Sequence, residues 1–172
     1  MRVRAYSKME LPVMSASREH RHSITVGWSG NLGTGTSDYG AYSRDHEIGA
    51  KGKPNIHGSS DPAFRGDPSR WNPEELLVAS LSACHMLWYL HLAADHQIIV
   101  TAYTDQAEGV MEERPDGSGR FMRVVLRPTV TVVTGSDTER AHALHHVAHE
   151  KCFVANSVNF PVACEPKVIV AD

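Results

Sequence analysis

The stretch NPEELLVASLSACHMLWYLHLAA, residues 72–94, decides the fold. Asn72 is a capping residue, Pro73 suits the first helical position, and Glu74 and Glu75 fit the positive end of a helix dipole. The spacing predicts one helix from Pro73 to about His96, roughly 35 Å long at ~1.5 Å per residue. Its middle is small or apolar on every side, and such a helix is buried on every side. A domain of this size can hardly surround it, so a second subunit is expected to cover part of it, in a homodimer. A membrane span needs ~20 largely apolar residues. Ser80, Ser82, His85 and His91 interrupt this run and argue for a buried helix instead, so no membrane partner is expected.

Upstream, residues 1–22 are charged and weakly periodic, an N-terminal segment expected to fray or to form an edge. Residues 23–172 read as a single domain. Ile24, Val26 and Trp28 alternate with Thr25 and Gly27 as a strand. The run SGNLGTGTSDYG turns into a second strand near 41–48, and Trp28, Tyr39 and Tyr42 read as core or sheet packing. Residues 50–70, rich in proline, glycine and serine, break every period; a loop this long in a compact domain is usually functional or disordered. Downstream, strands are expected over 97–111 and 120–133, joined through Pro115-Asp116-Gly117, with a β-branched run at Thr129–Val133. A second helix follows from Thr138 to about Phe153, then a loop or short turn over 156–161 and a last strand over 162–170. The class is α+β.

Composition narrows the function. The 172 residues carry 17 basic and 20 acidic side chains, a net charge of −3 and no basic run, which excludes a general nucleic-acid binder. The first residues lack an apolar core of the secretory kind, and three cysteines are no disulfide scaffold. A reducing cytoplasm is the expected compartment.

Cys84 lies in mid-helix, Cys152 at the end of the second helix beside Lys151, and Cys164 at the start of the last strand. The neighbours of Cys164 alternate as in a packed strand, and no role is assigned to it. A nucleophilic thiol needs a nearby cation or a helix N-terminus. A mid-helix cysteine gains little from the dipole, so a reactive Cys84 requires an arginine; Arg65 and Arg70 in the long loop and Arg44 in the hairpin are the candidates. Histidine is abundant, at 11 residues. His142, His145, His146 and His149 fall at positions that let three or four share one helix face, with Cys152 three residues on, a possible soft-metal face whose plainer reading is a polar surface. His85 and His91 read as hydrogen-bonded core histidines, and His85 sits where it could tune the neighbouring thiol.

The run Asn72-Pro73-Glu74-Glu75-Leu76, with Cys84 ten residues after Glu74, and Cys152 ahead of a short loop and the last strand, resembles the OsmC/Ohr family of thiol-dependent hydroperoxide reductases. The order of elements matches as well, over about residues 23–171, and the long loop before the helix places the chain nearer the OsmC-like branch. The resemblance implies an OsmC-like fold with antiparallel sheets around a long buried central helix, in an intertwined homodimer. It implies a peroxiredoxin-type organic hydroperoxide reductase, an antioxidant stress-response enzyme, with Cys84 as peroxidatic cysteine and Cys152 as resolving cysteine. Glu74 corresponds to the carboxylate that holds the activating arginine, and Arg65 is the best match to that arginine. Substrates would be organic hydroperoxides and the reductant a dithiol, such as a lipoylated protein; no metal or organic cofactor is implied. His85, where the family often has an aromatic or apolar residue, and the length of the 50–70 loop depart from the pattern. The rival reading is a non-catalytic metal-binding or stress-associated protein built on the His/Cys-rich second helix.

Overall fold

Asn72 starts the long helix through a reciprocal capping box. Its side-chain oxygen accepts the Glu75 N–H at 2.7 Å, while the Glu75 carboxylate accepts the Asn72 N–H at 3.2 Å. In the computed structural model, which describes residues 18–171, helix α1 then runs unbroken over Pro73–Asp95. Helix α2, Thr138–Lys151, opens at Asp137, whose carboxylate accepts the Arg140 N–H at 2.9 Å. The strands are β1 (Thr25–Trp28), β2 (His46–Gly49), β3 (Ile56–Gly58), β4 (Val100–Asp105), β5 (Glu108–Glu113), β6 (Gly119–Leu126), β7 (Pro128–Val132), β8 (Val162–Cys164) and β9 (Lys167–Val170). They form three-stranded sheets ordered β1-β2-β3, β4-β7-β9 and β5-β6-β8. Most of the expected N-terminal segment, residues 1–17, lies outside the described residues.

The 50–70 loop is more ordered than its composition suggests. Ile56–Gly58 joins the hairpin as β3, and Pro62–Phe64 forms a 3-10 turn capped by Asp61. Backbone bonds from Trp71 to His57 (3.1 Å) and from Ser59 to Trp71 (2.9 Å) close the loop against the start of α1.

Three stretches that read as continuous strands, 97–111, 120–133 and 162–170, each break in two, and they break at one level. Pro128 and Pro166 lack the N–H that would continue a ladder. At the same level the Asp105 carboxylate accepts the Arg127 N–H at 2.7 Å and the Ser82 hydroxyl at 2.6 Å. The Arg127 guanidinium joins Glu108 and Glu165, each at 3.1 Å. The chain thus passes from one sheet to the next through a polar seam. The expectation of antiparallel sheets is corrected here: β8 pairs parallel with β6, and β9 parallel with β7. The chain returns to these strands by a crossover through α2, and a crossover of this kind delivers parallel neighbours where a tight hairpin cannot.

Helix α1 serves both sheets. Leu81 packs with Val124 and Leu126 on one side of the seam. Tyr89, Leu92 and Ala93 pack with Val130, Val132 and the Ala141, Leu144 and Ala148 face of α2 on the other. Gly109 lets β5 close on the helix, since a Cβ there would stand 2.8 Å from a Val78 methyl. Within one chain the helix is buried along the line Leu81, His85, Tyr89 and Leu92 and not all round; Ala79, Ser80, Ala83 and Leu87 are exposed, Leu87 by 63%. By length and composition α1 could cross a membrane, yet its buried line packs on two sheets. The β1–β3 sheet likewise leaves Ile24, Val26, Trp28 and Ile56 exposed, so Trp28 is a surface residue that meets Tyr42 edge-on and donates its indole N–H to Ser43 at 2.9 Å.

Candidate active site

The seam is where the reactive side chains gather, because α1 crosses it between Leu81 and Tyr89. Cys84 falls in that interval, half-buried, and faces the C-terminus of α2. Cys152 is the residue that ends α2: its backbone turns extended, and the next residues wind into a 3-10 turn, Ala155–Ser157, that wraps the thiol. The Ala155 N–H points at Cys152 Sγ at 3.4 Å, and the Asn156 N–H donates to the Cys152 carbonyl at 3.0 Å. The two thiols are near enough for each to feel the other. Burial pushes the Cys152 thiol up to about 11, and the neighbouring Cys84 adds to the rise. One turn further along α1, Trp88 meets Phe153 edge-on at 5.7 Å and lies under the Lys151 ammonium at 5.7 Å. Both thiols are free. The structure therefore brings together the two cysteines singled out from the sequence.

The arginines and Glu74 stand elsewhere. Arg65 takes a left-handed backbone (φ 65°) to end the Pro62–Phe64 turn, and its guanidinium rests against Gly40 and Tyr39, 5.9 Å from the ring centre. Among the described residues no ion pair or hydrogen bond engages that guanidinium. Arg44 is fixed in the hairpin, donating to the carbonyls of Tyr42 (2.6 Å) and Tyr39 (2.8 Å) and stacked on both rings. Arg70 sits among Asp45, Glu47 and Asp67, at 3.7, 3.8 and 3.7 Å. Glu74 occupies the first turn of an unbroken helix, ~15 Å along its axis from Cys84. None of these groups reaches the thiols of its own chain through a direct ion pair or hydrogen bond.

A groove of about 820 Å³ runs along the exposed face of α1. Phe64, Trp71, Val78, Met86, Met111 and Phe121 make it apolar, and Glu74 stands in its wall. Ala83 and Met86, on either side of Cys84 in sequence, line it, although Cys84 itself does not.

The histidines of α2 do not share a face. His146 pairs with Glu150 at 3.2 Å in solvent and His142 is exposed, whereas His145 is buried. His91, expected in the core, is exposed beside Asp95. His85 is fully buried as expected, and its partner is His145: Nε2 of His85 lies 3.0 Å from Nδ1 of His145. Cys164, to which the sequence reading gave no role, places Sγ 3.5 Å from the same His85 nitrogen. Burial holds both imidazoles neutral, His85 down to about 4 and His145 down to about 3. Nothing in the local sequence signals this trio, since its members come from three separate elements.

Known proteins share this fold. A family model described as OsmC-like protein matches residues 66–167. An OsmC-like protein of unknown function from Vibrio cholerae is 35% identical, with a TM-score of 0.77 over 86% of this chain and 99% of that one. An organic hydroperoxide resistance protein from Elizabethkingia anophelis shares the fold at 18% identity and a TM-score of 0.63, covering 90% of this chain and 100% of its own. One from Legionella pneumophila does so at 20% and 0.62, covering 88% and 98%. No protein of the curated set matches the chain.

Proposed function

The chain belongs to the OsmC-like protein family, and from that premise we propose that it reduces organic hydroperoxides to alcohols through Cys84 and Cys152. The contact between these two thiols, one on each of two packed helices, carries the reading. The Cys84 thiolate attacks the distal peroxide oxygen; the O–O bond breaks, Cys84 becomes a sulfenic acid, and the alkoxide takes a proton and leaves as alcohol. The neighbouring Cys152 thiol then attacks the Cys84 sulfur. A disulfide forms and water departs. An external dithiol, of the lipoylated-protein kind, returns both residues to thiols by exchange. That demand for reduced thiols suits the cytoplasm.

An arginine beside Cys84 would favour the thiolate and stabilise charge on the leaving oxygen. Arg65 fits this role because, among the described residues, no carboxylate engages its guanidinium, unlike that of Arg70. Glu74 and the exposed small-residue face of α1 (Ala79, Ser80, Ala83) support a homodimer in which a second copy lies antiparallel on that face. Each Glu74 would then serve the other copy's thiol. The apolar groove beside Cys84 favours substrates with a hydrocarbon body over hydrogen peroxide.

The test is consumption of cumene hydroperoxide with a dithiol reductant. The native chain should turn over, Cys84→Ser should not, and peptide mapping after one equivalent of peroxide should show a Cys84–Cys152 link with Cys164 free. Equal turnover by Cys84→Ser, or a predominant link to Cys164, overturns the reading.

A further inference from the structure

The trio at the seam is a second cluster of donor atoms, separate from the thiol pair. His85 comes from α1, His145 from α2 and Cys164 from the end of β8. Their Nε2, Nδ1 and Sγ atoms lie within 4.8 Å of one another, and both histidines are buried. We infer that His85 Nε2, His145 Nδ1 and Cys164 Sγ form a binding site for a borderline-soft divalent cation, zinc(II) by its chemistry.

Spacing is the first argument. Zinc takes nitrogen at ~2.0–2.1 Å and thiolate sulfur at ~2.3 Å, so a tetrahedral site sets N···S near ~3.5 Å and N···N near ~3.3 Å. The observed separations are 3.5 Å for Cys164 to His85 and 3.0 Å for His85 to His145. The donor set is the second. Two imidazoles and one thiolate suit zinc, and would suit neither calcium nor magnesium, which take oxygen ligands. Both rings are neutral at ordinary pH, and a change of tautomer that moves the shared N–H to the ring nitrogen facing away from the cluster frees both ligating lone pairs.

The surroundings supply a third argument. Hydrogen bonding between the rings satisfies one nitrogen of each, yet His85 Nδ1, His145 Nε2 and the hydroxyls of Tyr89 and Tyr103 lie buried without partners among the described residues. Tyr89 stacks on the His145 ring at 3.9 Å, and burial, with Asp105 and Cys164 nearby, disfavours ionisation of Tyr103. Buried polar groups without partners are costly, and the two tyrosine hydroxyls belong to side chains that pack against the cluster. The carboxylate of Asp105, close enough to act on both His85 and Cys164, adds favourable charge to a cation held there. Binding displaces the Cys164 thiol proton to solvent, which the ion must drive, because burial pushes that thiol up to about 12. The site would brace α1, α2 and β8 against one another beside Cys84, but it uses neither redox cysteine and stands apart from the peroxide chemistry.

The test uses the full chain, reduced, stripped with chelator and handled without oxygen. Cobalt(II) titration should give a thiolate-to-metal charge-transfer band saturating at one ion per chain, and zinc(II) should displace it. Cys164→Ser should abolish the band, and His145→Gln should weaken binding at least ~10-fold. A Cys84→Ser, Cys152→Ser double variant should bind as the parent does. Since altered cores can misfold, X-ray absorption of the unaltered zinc-loaded chain provides the independent readout: one sulfur and two imidazole nitrogens in the first shell. Failure of the unaltered chain to take up an ion, a first shell with two sulfurs, or a band that survives Cys164→Ser and vanishes in the double variant overturns the proposal.

Discussion

Asp105 should matter to stability far more than a single half-buried carboxylate usually does. Its two oxygens accept from the Arg127 backbone N–H at 2.7 Å and the Ser82 hydroxyl at 2.6 Å, tying the break between sheets to the turn of α1 just before Cys84. Hydrogen bonds to an ionised group contribute roughly 1.5–3 kcal/mol each. Both are part-buried, so the lower figure applies, and Asp105→Ala should cost about 3 kcal/mol. For a domain of this length that is a fall in Tm of roughly 6–12 °C. Asp105→Asn keeps a carbonyl oxygen for the Arg127 N–H and can reorient its amide toward Ser82, so about half the loss is expected. Urea unfolding at fixed protein concentration gives the free energies. Hydrogen exchange at the Arg127 amide reports the broken bond directly, faster in Asp105→Ala and nearly unchanged in Asp105→Asn. An Asp105→Ala chain within about 0.5 kcal/mol of the parent, with the Arg127 amide still protected, would refute the view that this carboxylate holds the seam.

Arg65→Ala should lower peroxide turnover by about 10²–10³ while leaving the unfolding midpoint nearly unchanged, since the side chain is exposed and makes no ion pair among the described residues; normal turnover in that variant with a dead Arg44→Ala or Arg70→Ala would move the activating cation elsewhere. Mixing Glu74→Ala chains with Cys84→Ser chains should restore activity, because one of the two sites in a mixed dimer would then be intact; inactive mixtures with subunit exchange verified by mass would count against a shared site. Burial keeps Cys152 protonated well above the ordinary thiol range. Its alkylation by iodoacetamide in the native, reduced chain should therefore still rise ~10-fold per pH unit between about pH 8 and 10, whereas the unfolded chain levels off near its ordinary thiol pKa; a native plateau below about pH 9 would show that the thiol is not held neutral.

Much of the local structure was legible because its causes are local. Asn72, Pro73 and Glu75 lie within one turn of each other, so the start of α1 could be read from spacing, as could Asp137 at the start of α2 and the turn at Pro115-Asp116-Gly117. The pairing of Cys84 with Cys152 was reached from the sequence through likeness to a family; hydrophobic pattern alone would not have yielded it. Residues 97–111 show how the pattern misleads. A strand that bends from one sheet into another keeps its β-forming residues throughout, so its break at Gln106-Ala107 leaves little trace.

What the sequence determined by itself, then, is the set of elements, their order and the caps that delimit them, all interactions spanning a few residues. Tertiary structure alone decided the seam, the buried stripe of α1 and the His85–His145–Cys164 cluster. His85 and His145 are 60 residues apart, and His85 and Cys164 are 79 apart. Such contacts arise where two sheets, each with its own core, share one helix and leave a polar boundary between them. No periodicity within any one element encodes that boundary, because it exists only once α1, α2 and β8 have converged on it.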